Sequence, residues 1–153
     1  MDRVDDPFME EGLLTSGGNG MMDGIQRRHA AVEPRGELAS RVLAMPANTN
    51  PKGDMFGGWI MSLMDAAGAM TATTYAKGRV VTVAVSNIVF LQPVNVGDTV
   101  CCYTDITRVG KTSITLNVEV WTLRQGQGDR IKVTEAEFTF VGVNENGRPK
   151  RLN

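Results

Sequence analysis

A chain of 153 residues with an apolar fraction of 42% has room for one domain of ordinary size and enough hydrophobic material to build a core. Its formal net charge of −1 supplies no global field to attract nucleic acid or an anionic membrane, so a phosphorylated ligand would need a local basic cluster. No stretch has the length and apolarity of a membrane span, and the acidic, broken opening MDRVDDPFMEEG does not read as a secretory signal.

Positions 1–36 read as a disordered or flexible N-terminal tail. They hold glycines at 12, 17, 18, 20, 24 and 36, many charges and no apolar periodicity. The domain is therefore expected over 37–153. Positions 38–45 predict a first strand that Pro46 ends, followed by a turn-forming loop through Asn48, Asn50, Pro51, Gly53 and Asp54. Positions 57–76, GGWIMSLMDAAGAMTATTYA, predict a helix from their length and their Ala, Met and Leu content. Asp65 is its only charged residue. A helix without a charged face is expected to be surrounded by protein.

Strands are predicted over 79–91, 98–108, 111–123 and 130–143. In the third of these, Ile114, Leu116, Val118 and Val120 alternate inward against Ser113, Thr115, Asn117 and Glu119 outward. The links at 92–97, around Gly110 and at 125–128 are short, which predicts antiparallel hairpins between consecutive strands. The expected fold is α+β, one long apolar helix wrapped by a curved antiparallel sheet of about five strands. Cys101 and Cys102 are adjacent, hence on opposite faces of a strand and poorly placed for a disulfide. As buried thiols they point to a reducing compartment, the cytoplasm.

The only histidine, His29, lies in the tail. A Ser-His-Asp or Cys-His relay inside the domain is thereby excluded, as is a zinc site of usual composition. Neither a Walker A loop nor a G-x-G-x-x-G fingerprint is present, so neither metal nor cofactor is expected. A base or nucleophile in the domain must then be a carboxylate. Asp65 is the first candidate, because desolvation in an apolar helix makes a carboxylate a better base. The alternative is that it braces nearby strand backbone.

Gly57 and Gly58 stand where loop becomes helix. First-turn amides there lack internal partners and can stabilise an oxyanion, unless the pair merely lets the helix pass beneath a sheet. Asp65 follows Gly58 by seven residues, about two turns, so the two share a side at a separation of about 10 Å. One carbonyl cannot touch both. If both serve one reaction they come from different subunits, across a symmetric dimer interface. Asp54 is the rival carboxylate, with an N-cap or turn role as its other reading and the orientation of water as a further one. Asn50 reads as a turn former in the same loop.

These residues carry a recognisable signature. The run MPANTNPKGDMFGGWIMSLMDAAGA (45–69), with GRVVTVAVSNIVFLQPVNVGDTVCCY (78–103), GKTSITLNVEVW (110–121) and TEAEFTFVGV (134–143), resembles the bacterial YciA-type acyl-CoA thioesterases of the hotdog superfamily. The resemblance spans essentially all of 38–151 and leaves the tail outside.

The resemblance implies a hotdog fold and hydrolysis of acyl-CoA to fatty acid and CoA, with coenzyme A present only as part of substrate and product. It makes Asp65 the catalytic carboxylate and Gly57–Gly58 the polarising helix end. It implies homodimers that assemble further as a trimer of dimers, with the active site between subunits. The turn Gly110-Lys111-Thr112-Ser113 is similar to the family's phosphate-contacting turn, and Val85, Ser86 and Asn87 match a strand lining the pantetheine channel. Asn50 and Phe56, inside or beside the G-D-x-F-G-G-W string, count with these substrate-binding positions. Lys77, Arg79, Arg148, Lys150 and Arg151 are further cations for the nucleotide, or solvated surface charges. Met61, Met64 and Met70 set the depth of an adaptable acyl pocket.

Two other readings compete. A non-catalytic acyl-CoA-binding module would leave CoA esters intact. A thioesterase acting on acyl-carrier protein would favour a broad basic face, which this sequence does not announce.

Overall fold

A computed structural model describes residues 33–124 and 128–152. The tail over 1–32 with His29, and the loop positions 125–127, lie outside the described residues. The order is β1 (Glu37–Leu43), a short 3-10 turn (Pro46–Asn48), α1 (Gly57–Ala76), β2 (Val80–Phe90), β3 (Thr99–Val109), β4 (Ser113–Leu123) and β5 (Arg130–Gly142). All five strands join one antiparallel sheet in the order β1-β3-β4-β5-β2. With α1 packed across it, this is the hotdog arrangement that the sequence implied.

Strand order departs from the hairpin expectation at one place. β3–β4 and β4–β5 are hairpins, whereas β2 pairs with β5 at one edge and β3 lies between β1 and β4. The link over 91–98 is a crossover and not a tight turn. It is tied in passing to three distant segments: Leu91 N donates to Val133 O at 2.7 Å, Met55 N to Val94 O at 2.9 Å, and Gly97 N to Ala44 O at 2.8 Å. With Val94 fully buried, the link closes one end of the sheet below the helix start.

The helix sits where its small residues allow. Ile60, Met64, Ala67, Gly68 and Ala72 are buried against the sheet. A Cβ on Gly68 would lie 2.9 Å from the Phe140 ring and 3.2 Å from Leu116, so backbone rides directly on aromatic ring here. Phe138 and Phe140 stack at a centroid distance of 6.2 Å beneath it. Lys77 ends the helix in the left-handed region (φ 55°), its N–H bonded to Thr73 O.

The expectation that protein surrounds the helix holds on the sheet side only. Met61, Ser62, Ala66, Met70 and Thr73 are exposed in the single chain, Met70 by 50%. The edge strand β2 is bare as well, with Val83 54% and Val89 61% exposed. An apolar helix face and an apolar strand edge are thus left open side by side.

Ile114, Leu116, Val118 and Val120 are fully buried, as their alternation predicts. Their outward partners Thr115, Asn117 and Glu119 are also buried, because β4 is the central strand and long neighbouring side chains close over it. Glu119 is satisfied there by Trp121 Nε1 at 2.9 Å, by the Arg35 amide at 3.1 Å and by Lys132.

Candidate active site

The helix start comes from a loop with its own scaffold. Asn50 Oδ1 accepts from Lys52 N at 2.9 Å and from Asp54 N at 3.1 Å, closing an Asx turn. The loop then bridges to the crossover through Asp54 and Asn95. The N-cap is Phe56, in an extended conformation and without a side-chain cap, which corrects the N-cap reading of Asp54. Asp54 acts in the turn through its backbone, and its half-buried carboxylate takes no hydrogen bond among the described residues. Phe56 is half exposed, with its amide on Asn48 O at 2.9 Å.

With no cap, the amides of Gly57 and Gly58 find no acceptor among the described residues. They are the orphan donors that every helix start leaves, and Gly57 lines a hollow of ≈ 330 Å³. Asn50, Asp54, Gly57, Phe90 and Gln92 contribute to its wall, and Asp65 does not. A Cβ on Gly57 would meet Phe90 at 3.3 Å; one on Gly58 would meet nothing within 4 Å. Packing inside the chain therefore explains Gly68 and part of Gly57, but not Gly58.

Asp65 lies two turns further along the helix, half-buried on the face that the single chain leaves open. The deep desolvation expected of it is absent in the lone protomer and would have to come from whatever covers that face. Oδ1 accepts a 2.6 Å hydrogen bond from Thr82 Oγ1 on β2, and Oδ2 accepts none among the described residues. Asp65 is thus held by a strand side chain and not by strand backbone.

On the same edge strand Val85 is exposed and Ser86 half-buried. Asn87 occupies the left-handed region (φ 58°) at a register irregularity between Ser86 and Val89. Asparagine tolerates that conformation, which accounts for its presence among apolar neighbours. Its side chain makes no hydrogen bond among the described residues.

The turn with Lys111, Thr112 and Ser113 lies at the opposite end of the sheet from the hollow. It is pinned by backbone bonds from Gly110 to Ser113 (2.7 Å), Gly142 to Thr112 (2.8 Å) and Leu152 to Lys111 (2.9 Å). The last of these brings the C-terminal segment alongside. Arg79 and Lys150 line one depression of ≈ 450 Å³ with Asn144, Glu145 and Asn146. Lys77, Arg79, Lys111, Arg148, Lys150 and Arg151 form no ion pair with a described acidic residue, whereas Arg35, Arg124 and Lys132 do. Arg79 and Lys150, distant in the sequence, thus meet in one depression, and the C-terminal segment runs beside Lys111.

Sequence reasoning missed Thr82, whose neighbours in VVTVAV read as ordinary strand, and it left Arg79 and Lys150 unconnected. No group of His, Cys, Asp and Glu among the described residues could hold a metal ion, and no described helix is long and apolar enough to cross a membrane. Cys101 and Cys102 are free and buried.

The family model described as "Thioesterase superfamily" matches residues 52–128. The acyl-CoA thioester hydrolase YciA of Salmonella typhimurium is 52% identical over 122 residues, covering 78% of this chain and 92% of that protein. The same hydrolase of Escherichia coli K12 is 51% identical with the same coverage. Among solved structures, the hexameric thioesterase y2039 of Yersinia pestis superposes with a TM-score of 0.76 at 53% identity, over 79% of this chain and 98% of that one. A hexameric broad specificity acyl-coenzyme A thioesterase, solved as an aspartate-to-alanine mutant enzyme, superposes with a TM-score of 0.76 at 50% identity, over 78% and 88%.

Proposed function

Because this chain belongs to the thioesterase superfamily, as one of its YciA-type acyl-CoA thioester hydrolases, we propose that it cleaves acyl-CoA at a site completed by a second copy of itself. One observation carries the reading of the site. The hollow at the Gly57 helix end excludes Asp65, and both features border the face that the single chain leaves open. Pairing two β2 edges about a twofold axis would continue the sheet, cover the bare helix stripe and set the two helices antiparallel. Each helix start would then approach the partner's Asp65. The dimers assemble further, as a trimer of dimers, in keeping with the hexameric relatives.

In that site the free amides of one helix start receive the thioester oxygen as it gains charge, and the helix dipole assists them. The partner's Asp65 acts on the carbonyl carbon, either through a water that it deprotonates or by direct attack to a mixed anhydride. Single turnover in heavy-oxygen water tests the anhydride route, since label enters the enzyme's carboxylate only when water attacks the aspartyl carbonyl of an anhydride. A thiolate leaves readily, so histidine is not needed as an acid. The Arg79–Lys150 depression with the Lys111–Ser113 turn receives the CoA phosphates, and no cofactor beyond the substrate is required. Two reduced thiols fit a cytoplasmic setting.

Asp54 supports a second reading, since its unpaired carboxylate shares the hollow with Gly57 in one chain. Thiol release from a panel of acyl-CoAs by Asp65→Asn and Asp54→Asn decides. Asp65→Asn should lose at least about a hundredfold in kcat and Asp54→Asn much less; wild-type turnover by Asp65→Asn would transfer the role to Asp54. CoA esters left intact by the native protein would instead indicate a binding module.

A further inference from the structure

We infer that Thr82 is a positioning residue for the hydrolysis, holding the Asp65 carboxylate in one rotamer and leaving a single oxygen free to react; this rests on the role proposed for Asp65. Three observations converge on it. Thr82 Oγ1 donates to Asp65 Oδ1 at 2.6 Å, and that is the only hydrogen bond that the Asp65 side chain makes among the described residues. β2 changes register between Thr82 and Ala84, directly after this residue. Such a bulge re-aims the side chains beside it. The helix is also brought close to the sheet at this level. Thr82 pairs with Phe140, and the same Phe140 ring lies 2.9 Å from where a Gly68 Cβ would be, one helical turn beyond Asp65. A bulkier residue at 68 would push the helix away and open the Thr82–Asp65 bond.

The division of labour between the two oxygens follows from hydrogen-bond chemistry. A hydroxyl that donates to Oδ1 must find its proton acceptor there, so it sets the plane of the carboxylate as well as its direction. Oδ2 is left without a partner among the described residues, on a helix residue that a partner protomer would cover. A base or nucleophile must be aligned within a few tenths of an ångström, and a free Asp side chain on an open helix face samples several rotamers. Thr82 removes that freedom before substrate arrives. The effect belongs to turnover and not to binding, because Thr82 touches the carboxylate and not the thioester.

Thr82→Val and Thr82→Ser test this in the full-length assembled protein, by steady-state thiol release with one acyl-CoA. Valine keeps the shape and suits a strand, so the fold should be retained, and circular dichroism and sedimentation check that. The expected result is a kcat lowered about tenfold in Thr82→Val with KM within twofold, and recovery of most of the loss in Thr82→Ser. A Thr82→Val kcat within twofold of the native value overturns the inference. So does a variant in which KM rises with the fall in kcat and serine does no better than valine, since that pattern marks a structural defect. Asp65→Asn measured alongside separates the two levels. If it is inactive while Thr82→Val is normal, only the positioning role falls; if it is fully active, the role of Asp65 falls and Thr82 with it.

Discussion

A methyl group added at Gly68 would lie 2.9 Å from Phe140, whereas one added at Gly58 would meet nothing within 4 Å. The two glycines of one helix therefore predict opposite outcomes. Gly68→Ala should destabilise by about 1–3 kcal/mol through overpacking, seen as a lower denaturant midpoint. Gly58→Ala should keep or raise protomer stability, by about 0.5–1 kcal/mol from helix propensity, while thiol release drops at least tenfold. An unchanged rate would return Gly58 to ordinary helix sequence. Cys102 makes a separate case. Burial pushes its thiol from the usual 9.0 up to about 11. The folded state therefore holds that proton more tightly than the unfolded chain. The associated stability is complete below pH 9.0 and is lost as the pH rises through about 11. Thermal midpoints should fall across that window, and Cys102→Ala should fall less. Asp65 was legible as a lone charge in an apolar run. Thr82 was not, because one threonine in a β-branched strand looks like any other until the helix above it is placed.

The helix was readable to its ends, Gly57–Ala76, since a run with a single charge, bounded by a glycine pair and a basic turn, has few other solutions. Strand limits came within a few residues for the same reason, with alternation sharpest in β4, the best buried strand. Pairing order was less accessible. Short links favour hairpins, but the 91–98 link is held by Ala44, Met55 and Val133, contacts made only once distant segments have met. The bare edge of β2 was hidden too, because a run of valines reads alike in the middle of a sheet and at a margin that another chain will cover. A lysine at such an edge discourages pairing. Val83→Lys should accordingly sediment as a monomer and lose activity, with its far-ultraviolet spectrum unchanged. A fully active monomer would defeat the shared site.

The assembly itself yields the most decisive experiment. If Asp65 of one protomer serves the helix tip of another, two inactive variants can repair each other. Asp65→Asn and a variant blocked at the tip, Gly58→Val, should each be inactive alone. Co-refolded as an equal mixture, half of the dimers are mixed and each holds one intact site, so about a quarter of native activity should return. A site contained in one chain would show no recovery. Specific activity should likewise fall on dilution as protomers separate.

The strand order also bears on how the chain is made. β2 follows directly on the helix but hydrogen-bonds to β5, the last strand to be synthesised. While the ribosome is still translating, β1, β3 and β4 can already associate under the helix, but β2 must wait for its partner β5, which begins only at Arg130. A message truncated before residue 130 would therefore yield not a weakened enzyme but an insoluble fragment, the kind of client that a chaperone retains.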